Sequence, residues 1–162
     1  MADFTFNVSL GRGHEFVSRI RANDPANSAL KIVALAYTGL ESDGVLKDFD
    51  TLAAVLAGTT NEVTNGSYAR KTLTDADLSA PTIDDTNDVV TLDSFADQVF
   101  ATIASGDSWA KMLVCMDFDT TSGGDSDIIP ITAHDLLIDG GPVIPNGQNI
   151  TWSLPTGFLV CS

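Results

Sequence analysis

The chain has 162 residues, of which 44% are hydrophobic and 19% charged, a composition typical of one folded domain with its own core. Acidic residues outnumber basic ones by 22 to 8, and no Lys or Arg follows Lys111. Because nucleic acids and anionic membrane surfaces are bound by clustered cations, this balance argues against both as partners.

The N-terminal region predicts one strand and one short helix. Residues 4–10 alternate between apolar and polar side chains, as a half-buried strand does. Residues 13–22 favour a helix that ends at Asn23-Asp24-Pro25, although the same letters also allow a strand. The apolar residues that share the helical face are Phe16, Val17 and Ile20.

Two further elements follow in the first half of the chain. Residues 29–37, "ALKIVALAY", form a nearly continuous apolar run and predict a central strand covered on both faces. Residues 48–58, "DFDTLAAVLAG", predict the best helix in the chain, with Asp50 as its N-cap and Gly58 at its end.

The second half consists of short apolar segments separated by turn signals such as "SGGD" and "PNGQ". The fold class we predict is therefore mainly β, a β-sandwich or barrel-like domain of roughly eight to ten short strands with one or two short helices. Residues 1–162 form a single domain in this interpretation, and residues 1–28 are a candidate arm that contacts a neighbour. The predicted strands lie within residues 67–74, 89–93, 94–104, 108–118, 127–132, 150–154 and 156–162.

An aspartate-rich segment follows the strongest of these strands. "DFDTTSGGDSD" combines closely spaced carboxylates with two glycines, which calcium sites also use. The spacing does not match an EF-hand, and Asp and Gly are equally common in tight strand connections. We predict a connecting loop and no metal, and the residues that a cation would use are Asp117, Asp119, Asp125 and Asp127.

No catalytic or cofactor motif is present in the sequence. His134 precedes Asp135, but no nucleophile motif accompanies this pair, and we expect His134 to form hydrogen bonds at a strand end. His14 is the other histidine. Neither a Walker nor a dinucleotide-binding motif occurs, so we predict a protein that is not an enzyme and has no cofactor.

The cysteines and the N-terminus bear on the cellular compartment. Cys115 and Cys161 lie in apolar segments and are predicted to be buried thiols, with a disulfide between neighbouring strands as the alternative. The N-terminus lacks the features of a signal peptide, and no apolar run is long enough to cross a bilayer. We therefore expect a protein that is made and folded in a cytoplasm.

The only concentrated group of cations lies near the N-terminus. Arg12, Arg19 and Arg21 are predicted to contact an acidic neighbour, which is either another copy of the chain or a partner protein. Ordinary solvated arginines are the alternative interpretation.

Several segments together carry a family resemblance. "NDPANSALKIVALA", "LKDFDTLAAVLAGTTNEVTN", "YARKTLTDADL", "DDTNDVVTLD", "LVCMDFDTTSGGDSDIIPITAHD" and "TGFLVCS" resemble small structural proteins of tailed bacteriophages, in the same order and over most of the chain. The resemblance implies a virion protein of the capsid decoration (cement) type, a homo-oligomer and commonly a trimer. Such a protein binds the major capsid protein at junctions between its subunits on the capsid exterior, after assembly in the host cytoplasm.

Two other functions stay open from the sequence. One is a structural component of the neck, tail or tail tip. The other is a carbohydrate-binding β-sandwich module, whose stacking faces would come from Trp109, Trp152, Tyr37 and Tyr68. Both tryptophans are more commonly core residues, and we expect them in the core.

Overall fold

The computed structural model describes residues 2–80, 82–87, 89–92, 95–136, 140–154 and 159–161, with the backbone alone described at 82, 89–92 and 159–161. Within these residues the protein is mainly β, as predicted, and its helices are short. The strands are β1 (Phe4–Thr5), β2 (Ala29–Ala36), β3 (Lys71–Leu73), β4 (Thr82–Asp84), β5 (Val89–Leu92), β6 (Gln98–Phe100), β7 (Trp109–Asp117), β8 (Ile128–Asp135), β9 (Ile150–Trp152) and β10 (Leu159–Cys161).

Three helices and two 3-10 turns accompany the strands. The helices are α1 (Gly13–Arg21), α2 (Asp43–Leu46) and α3 (Leu52–Val55), and the 3-10 turns cover Asn7–Ser9 and Asp75–Asp77. Among the described residues, no helix is both long and apolar enough to cross a membrane.

A five-stranded antiparallel sheet is the centre of the fold, with the strand order β1-β8-β7-β2-β3. Strands β10, β5 and β4 form a second sheet, and β6 pairs with β9. The predicted central strand is confirmed, because β2 lies between β7 and β3. Its side chains alternate between two cores: Ile32 packs on one face of the sheet, and Val33 packs on the other.

The first core lies between the large sheet, α1 and the β6–β9 pair. Helix α1 contributes the three apolar residues that its sequence periodicity predicts, and all three are buried. Aromatic rings fill the other side: the ring of Phe100 meets that of Trp109 edge-on, with 5.2 Å between the centroids. The buried aromatic members of this core are Phe16, Phe95, Phe100, Trp109 and Trp152.

The second core lies on the opposite face of the sheet, beneath α2, α3 and the N-terminal segment. Phe6, Leu46 and Leu52 come from this cover and pack against side chains of the strands. The strand residues that they meet are Val33, Leu35, Leu113, Cys115, Ile128 and Ala133. Because both faces are covered, β7 is buried at every position, and any charged residue on it must find a partner inside.

The predicted strand over residues 4–10 was wrong beyond Thr5. Phe6 turns into the second core, its amide donates a hydrogen bond to the carbonyl of Ile131, and a 3-10 turn follows. Leu10, which the alternation placed on the buried side, is 60% exposed. Packing of Phe6 therefore overrides the local pattern.

The helix predicted over residues 48–58 is shorter than expected and capped by a different residue. Only Leu52–Val55 is helical, and the cap is Thr51, whose hydroxyl accepts a hydrogen bond from the amide of Ala54 at 3.2 Å. The amide of Ala53 donates to the carbonyl of Asp125, a bond that ties this turn to the aspartate-rich loop.

The strand predicted over residues 94–104 is also shorter, because only Gln98–Phe100 pairs with β9 in the described part of that segment. Phe100 is buried in the first core, and the chain then turns at Thr102, whose φ of 47° is not compatible with a strand.

Candidate functional site

The outer face of α1 carries the cluster of arginines that the sequence singled out. Gly13, Phe16, Val17 and Ile20 face inward, whereas Arg12 and Arg21 are exposed and Arg19 is half-buried. His14 is also exposed on this helix. Arg12 and Arg19, seven residues apart, lie on the same side of α1, whereas Arg21, two residues after Arg19, lies about 200° further round the helix axis.

The three arginines differ in how much of their charge is already paired. Arg12 contacts Glu15 at 3.3 Å, and Arg19 contacts the same carboxylate at 3.8 Å. Among the described residues Arg21 has no acidic partner within 4.0 Å. One glutamate therefore serves two arginines, and the helix face keeps a net positive charge.

This helix face adjoins the start of the aspartate-rich loop. The guanidinium of Arg19 lies 5.3 Å from the ring centre of Phe118, and the ring of Phe16 meets the same ring edge-on. The amide of Thr120 donates to the carbonyl of Asn27, just after the helix. A cationic helix face and an acidic loop therefore share one end of the molecule.

Within the loop, Asp119 is held by its immediate neighbours. The hydroxyl of Ser122 donates to it at 2.7 Å, and the hydroxyl and amide of Thr121 donate at 2.6 Å and 3.0 Å. These hydrogen bonds, with the one from Ser122 largest, lower the pKa of the Asp119 carboxyl to about 2. This arrangement is an Asx-type turn, and it orders the loop without an ion.

Asp125 is held from outside the loop by Arg70. The Arg70 guanidinium donates to both oxygens of Asp125 and, on its other side, to both oxygens of Glu62. The bonds to Asp125 and then those to Glu62 raise the pKa of Arg70, while Arg70 lowers the pKa of Asp125. This two-sided clamp ties the loop to the segment before β3.

The remaining aspartates point to other partners. Asp117 lies 3.7 Å from the ammonium of Lys31, and Asp127 accepts a hydrogen bond from the amide of Gly124. A polar pocket of about 190 Å³ lies between Lys31, Arg70 and the loop. Within the described residues, no three His, Cys, Asp or Glu side chains converge as a metal site would need. Four aspartates that are close in sequence therefore serve four different contacts.

A second ionic cluster lies inside the second core. The Lys111 side chain is 0% exposed, and its ammonium contacts Asp43 at 3.1 Å and also Asp135. It lies 3.3 Å from the carbonyl oxygen of Ala2 and 5.2 Å from the ring centre of Phe4. Burial raises the pKa of Asp43, but the hydrogen bond from the amide of Ala2 and the contact with Lys111 lower it further, so it ends below its ordinary value.

His134 has a structural position, which confirms the expected hydrogen bonding at a strand end. Its Nδ1 lies 3.1 Å from a carboxylate oxygen of Asp3, and its Nε2 lies 2.9 Å from the hydroxyl of Thr132. Both ring nitrogens are thereby engaged. In the described part of the chain no Ser or Cys nucleophile contacts this histidine.

The tryptophans are core residues, as expected. Trp109 is 0% exposed, and its indole N–H donates to the Asn65 side chain at 2.9 Å, whereas Trp152 is 6% exposed. The hydroxyl of Tyr68 accepts from the amide of Ala34 and donates to Glu62, and its burial raises its pKa. Of the four aromatic residues proposed for sugar stacking, only Tyr37 is largely exposed, at 49%. They do not assemble into a stacking face.

The cysteines are only partly described. Cys115 is a free thiol, buried in the second core, and this burial raises its pKa. Cys161 lies in β10, but its side chain is outside the described part of the chain. The predicted burial of Cys115 is confirmed.

Sequence reasoning missed both ionic clusters. Lys111 carried a usable signal, because it is the one charged residue inside the apolar run "WAKMLVCM", and a charge on a fully buried strand requires an internal partner. Nothing in the sequence indicates which residues pair with Lys111. Asp43 and Asp135 are 68 and 24 residues away in the sequence, and only the fold brings them together.

Comparisons with known proteins leave the resemblance to phage structural proteins as a prediction. No family model matches the chain, and neither a curated protein nor a solved structure matches it.

Proposed function

We propose that the protein is a structural component of a bacteriophage virion, which decorates the capsid exterior and stabilises it by binding at junctions between major capsid subunits. The proposal rests on the resemblance of the quoted segments to small phage structural proteins. A mainly β domain in which His134, Asp119 and Asp125 are engaged in internal contacts supports a binding role over a catalytic one.

The single observation that favours docking is the position of the free positive charge. Lys31, Arg70 and Lys111 are used in ion pairs within the domain. Arg12, Arg19 and Arg21 therefore give α1 a positive outer surface on a chain with a formal net charge of −14. Such a face on an acidic protein directs it to an acidic patch on the shell or on a second copy, while the remaining surface keeps free copies apart.

The α1 face also suits a homo-oligomer, commonly a trimer in proteins of this type. In a cyclic trimer, an acidic loop of one copy can meet the arginines of the next, because such contacts are heterologous and close into a ring. Here the two surfaces are neighbours at one end of the molecule, through Arg19 and Phe118. Repeated copies on a lattice bind with avidity, so each contact can be weak.

A binding assay with capsid shells tests the docking face. Arg12→Glu/Arg21→Glu reverses two charges on α1, and Lys47→Glu/Lys71→Glu applies the same charge change elsewhere. We expect the α1 pair to abolish co-sedimentation with shells at physiological salt, and the control pair to leave most of it. Equal binding by both double variants would mean that α1 is not the docking face.

The position in the virion requires a separate measurement. Quantitative mass spectrometry of purified virions, with cryo-EM of capsid and tail, is expected to find the protein at every equivalent junction of the shell. A copy number of about a dozen or fewer, on symmetry grounds, would instead indicate the neck, tail or tail tip. Absence from the particle would exclude a virion role.

A further inference from the structure

The ammonium of Lys111 contacts two carboxylates, those of Asp135 and Asp43, although one carboxylate is enough for an ion pair. The register of β7 and β8 places Lys111 directly opposite Asp135, and both side chains lie on the face covered by the second core. Asp43, the first residue of α2, approaches the same ammonium from above. One buried cation thus meets two carboxylates, whereas charge neutrality needs only one.

The surroundings make the amine and the carboxyl group suitable for reaction. The Lys111 side chain is 0% exposed, and those of Asp43 and Asp135 are 22% and 15% exposed. For the two groups to react, the ammonium must pass one proton to the carboxylate that it contacts, which leaves an amine beside a carboxylic acid. Fixed neighbours of this kind react with effective molarities of about 10⁵–10⁸ M when they are well oriented.

We propose that Lys111 and Asp135 form an intramolecular isopeptide bond, with Asp43 as the group that moves the proton. Nζ of Lys111 bonds to Cγ of Asp135, and the bond from Cγ to its hydroxyl oxygen breaks. Asp43 accepts a proton from Nζ and delivers it to the departing hydroxyl, which leaves as water. One amine and one carboxylic acid give one amide and one water, and no oxidant or reductant is needed.

Asp43 is well placed for this role. One of its carboxylate oxygens lies 3.1 Å from Nζ of Lys111, within reach of the proton that Nζ must lose. The amide of Ala2 donates to its other oxygen at 3.0 Å and fixes its orientation. The ring of Phe4 lies against the ammonium and limits access of water to the site.

The bond would join the open ends of the β7–β8 hairpin. Lys111 lies near the start of β7, Asp135 is the last residue of β8, and the aspartate-rich loop closes the other end. A covalent link at the open end makes this hairpin a closed ring and constrains the unfolded chain, as a disulfide does. This inference does not depend on the proposed virion role.

The test is the intact mass of the purified, denatured full-length protein. We expect a mass lower than that of the sequence by one water molecule, and a branched peptide that links Lys111 to Asp135 after proteolysis. The full sequence mass would overturn the proposal. Because the measurement is made on denatured chains, it does not require that a variant be stable.

A succinimide gives the same mass loss, and the sequence contains two Asp-Gly steps, at residues 43–44 and 139–140. Hydroxylamine cleaves a succinimide but not an isopeptide bond, so a water deficit that hydroxylamine removes would also overturn the proposal. The Lys31–Asp117 pair is the internal control, because it has no second carboxylate on its lysine among the described residues and should yield no branched peptide.

Variants then separate the roles of the two aspartates. Lys111→Arg is expected to restore the full mass, and Asp135→Asn is expected to lose one ammonia in place of one water. Asp43→Asn is expected to show little or no crosslink in freshly purified protein, whereas Asp48→Asn, an exposed acid just after the same helix, should crosslink fully. Equal crosslinking in both variants would remove Asp43 from the mechanism.

Discussion

Two sets of cationic side chains are used in opposite ways. Lys111 and Arg70 lie against the large sheet, and each is held between two carboxylates from distant parts of the chain. Arg12, Arg19 and Arg21 lie on α1, where Arg12 and Arg19 share Glu15 and Arg21 has no ion pair with a described residue. The difference shows that a positive charge on this acidic protein stabilises the fold where it is buried and is free for a partner where it is exposed.

The largest expected effect comes from removing the most buried cation. Lys111→Met keeps an unbranched side chain but leaves Asp43 and Asp135 as carboxylates without their partner in the second core. Breaking a buried ion pair in this way costs about 3–5 kcal/mol in the free energy of unfolding, and loss of the proposed Lys111–Asp135 amide would destabilise the variant in the same direction. Urea denaturation measures the change.

Lys71→Met is the control for Lys111→Met, because among the described residues the Lys71 ammonium has no ion pair and lies 5.1 Å from the ring centre of Phe100. Its loss of a cation–π contact is expected to cost about 0.5–1 kcal/mol. If both variants were equally stable, the internal cluster would not contribute to the fold.

A smaller loss is expected for the clamp on the aspartate-rich loop. Arg70→Met removes hydrogen bonds to Glu62 and Asp125, and charged hydrogen bonds contribute about 1.5–3 kcal/mol each when buried. Because the Arg70 side chain is 26% exposed, solvent screening reduces the whole effect to about 1–3 kcal/mol.

The Arg70 clamp also predicts a local signature. Hydrogen exchange in residues 119–127 is expected to become faster in Arg70→Met than in the wild type, because the loop loses its tie to the segment before β3. Exchange in the loop that does not change would mean that the Asx-type turn at Asp119 is sufficient to order it.

The third prediction concerns how the free energy of unfolding changes at acid pH. The pKa of Asp119 is lowered to about 2, and those of Asp43 and Asp125 are also lowered. A carboxyl whose pKa is lower in the folded state stabilises the fold above its unfolded pKa of about 3.9, and this contribution is lost as the pH falls through the folded value. Unfolding free energy is therefore expected to decrease between about pH 4 and pH 2.

Asp119→Asn tests whether Asp119 in the loop causes this loss of stability at acid pH. The variant cannot change its charge, so its stability is expected to depend less on pH between about 4 and 2 than that of the wild type. Asp85→Asn, an exposed loop residue, is the matched control. An identical pH slope in all three proteins would show that Asp119 does not contribute.

The sequence predicted those elements whose signal is local and continuous. β2 and β7 were predicted from apolar runs, and the inner face of α1 from the spacing of its apolar residues. Residues 4–10 do not form one strand because the packing of Phe6 in the second core outweighs the local alternation. In residues 48–58 only Leu52–Val55 is helical, and the bond from the Ala53 amide to Asp125 satisfies a donor that the first turn of a helix leaves free.

The same difference between local and long-range signals holds for the candidate sites. Helical spacing was enough to place Arg12 and Arg19 on one side of α1, because they are seven residues apart, and it places Arg21 on another side. The partners of Lys111 depend on strand register and on where α2 lies, and both are properties of the whole fold. Short-range sequence patterns therefore predict the side of a helix on which a residue lies more readily than they predict the partners of a buried charge.

The smallest expected effect on stability belongs to the outer set. Arg21 has no ion pair with a described residue, so Arg21→Ala is expected to change the free energy of unfolding by less than about 0.5 kcal/mol. The same variant removes one charge from the proposed docking face, and its affinity for capsid shells should fall and depend less on salt. Unchanged stability with weakened binding would assign Arg21 to a partner. A loss of stability with unchanged binding would instead mean that Arg21 stabilises the fold, as Lys111 and Arg70 do.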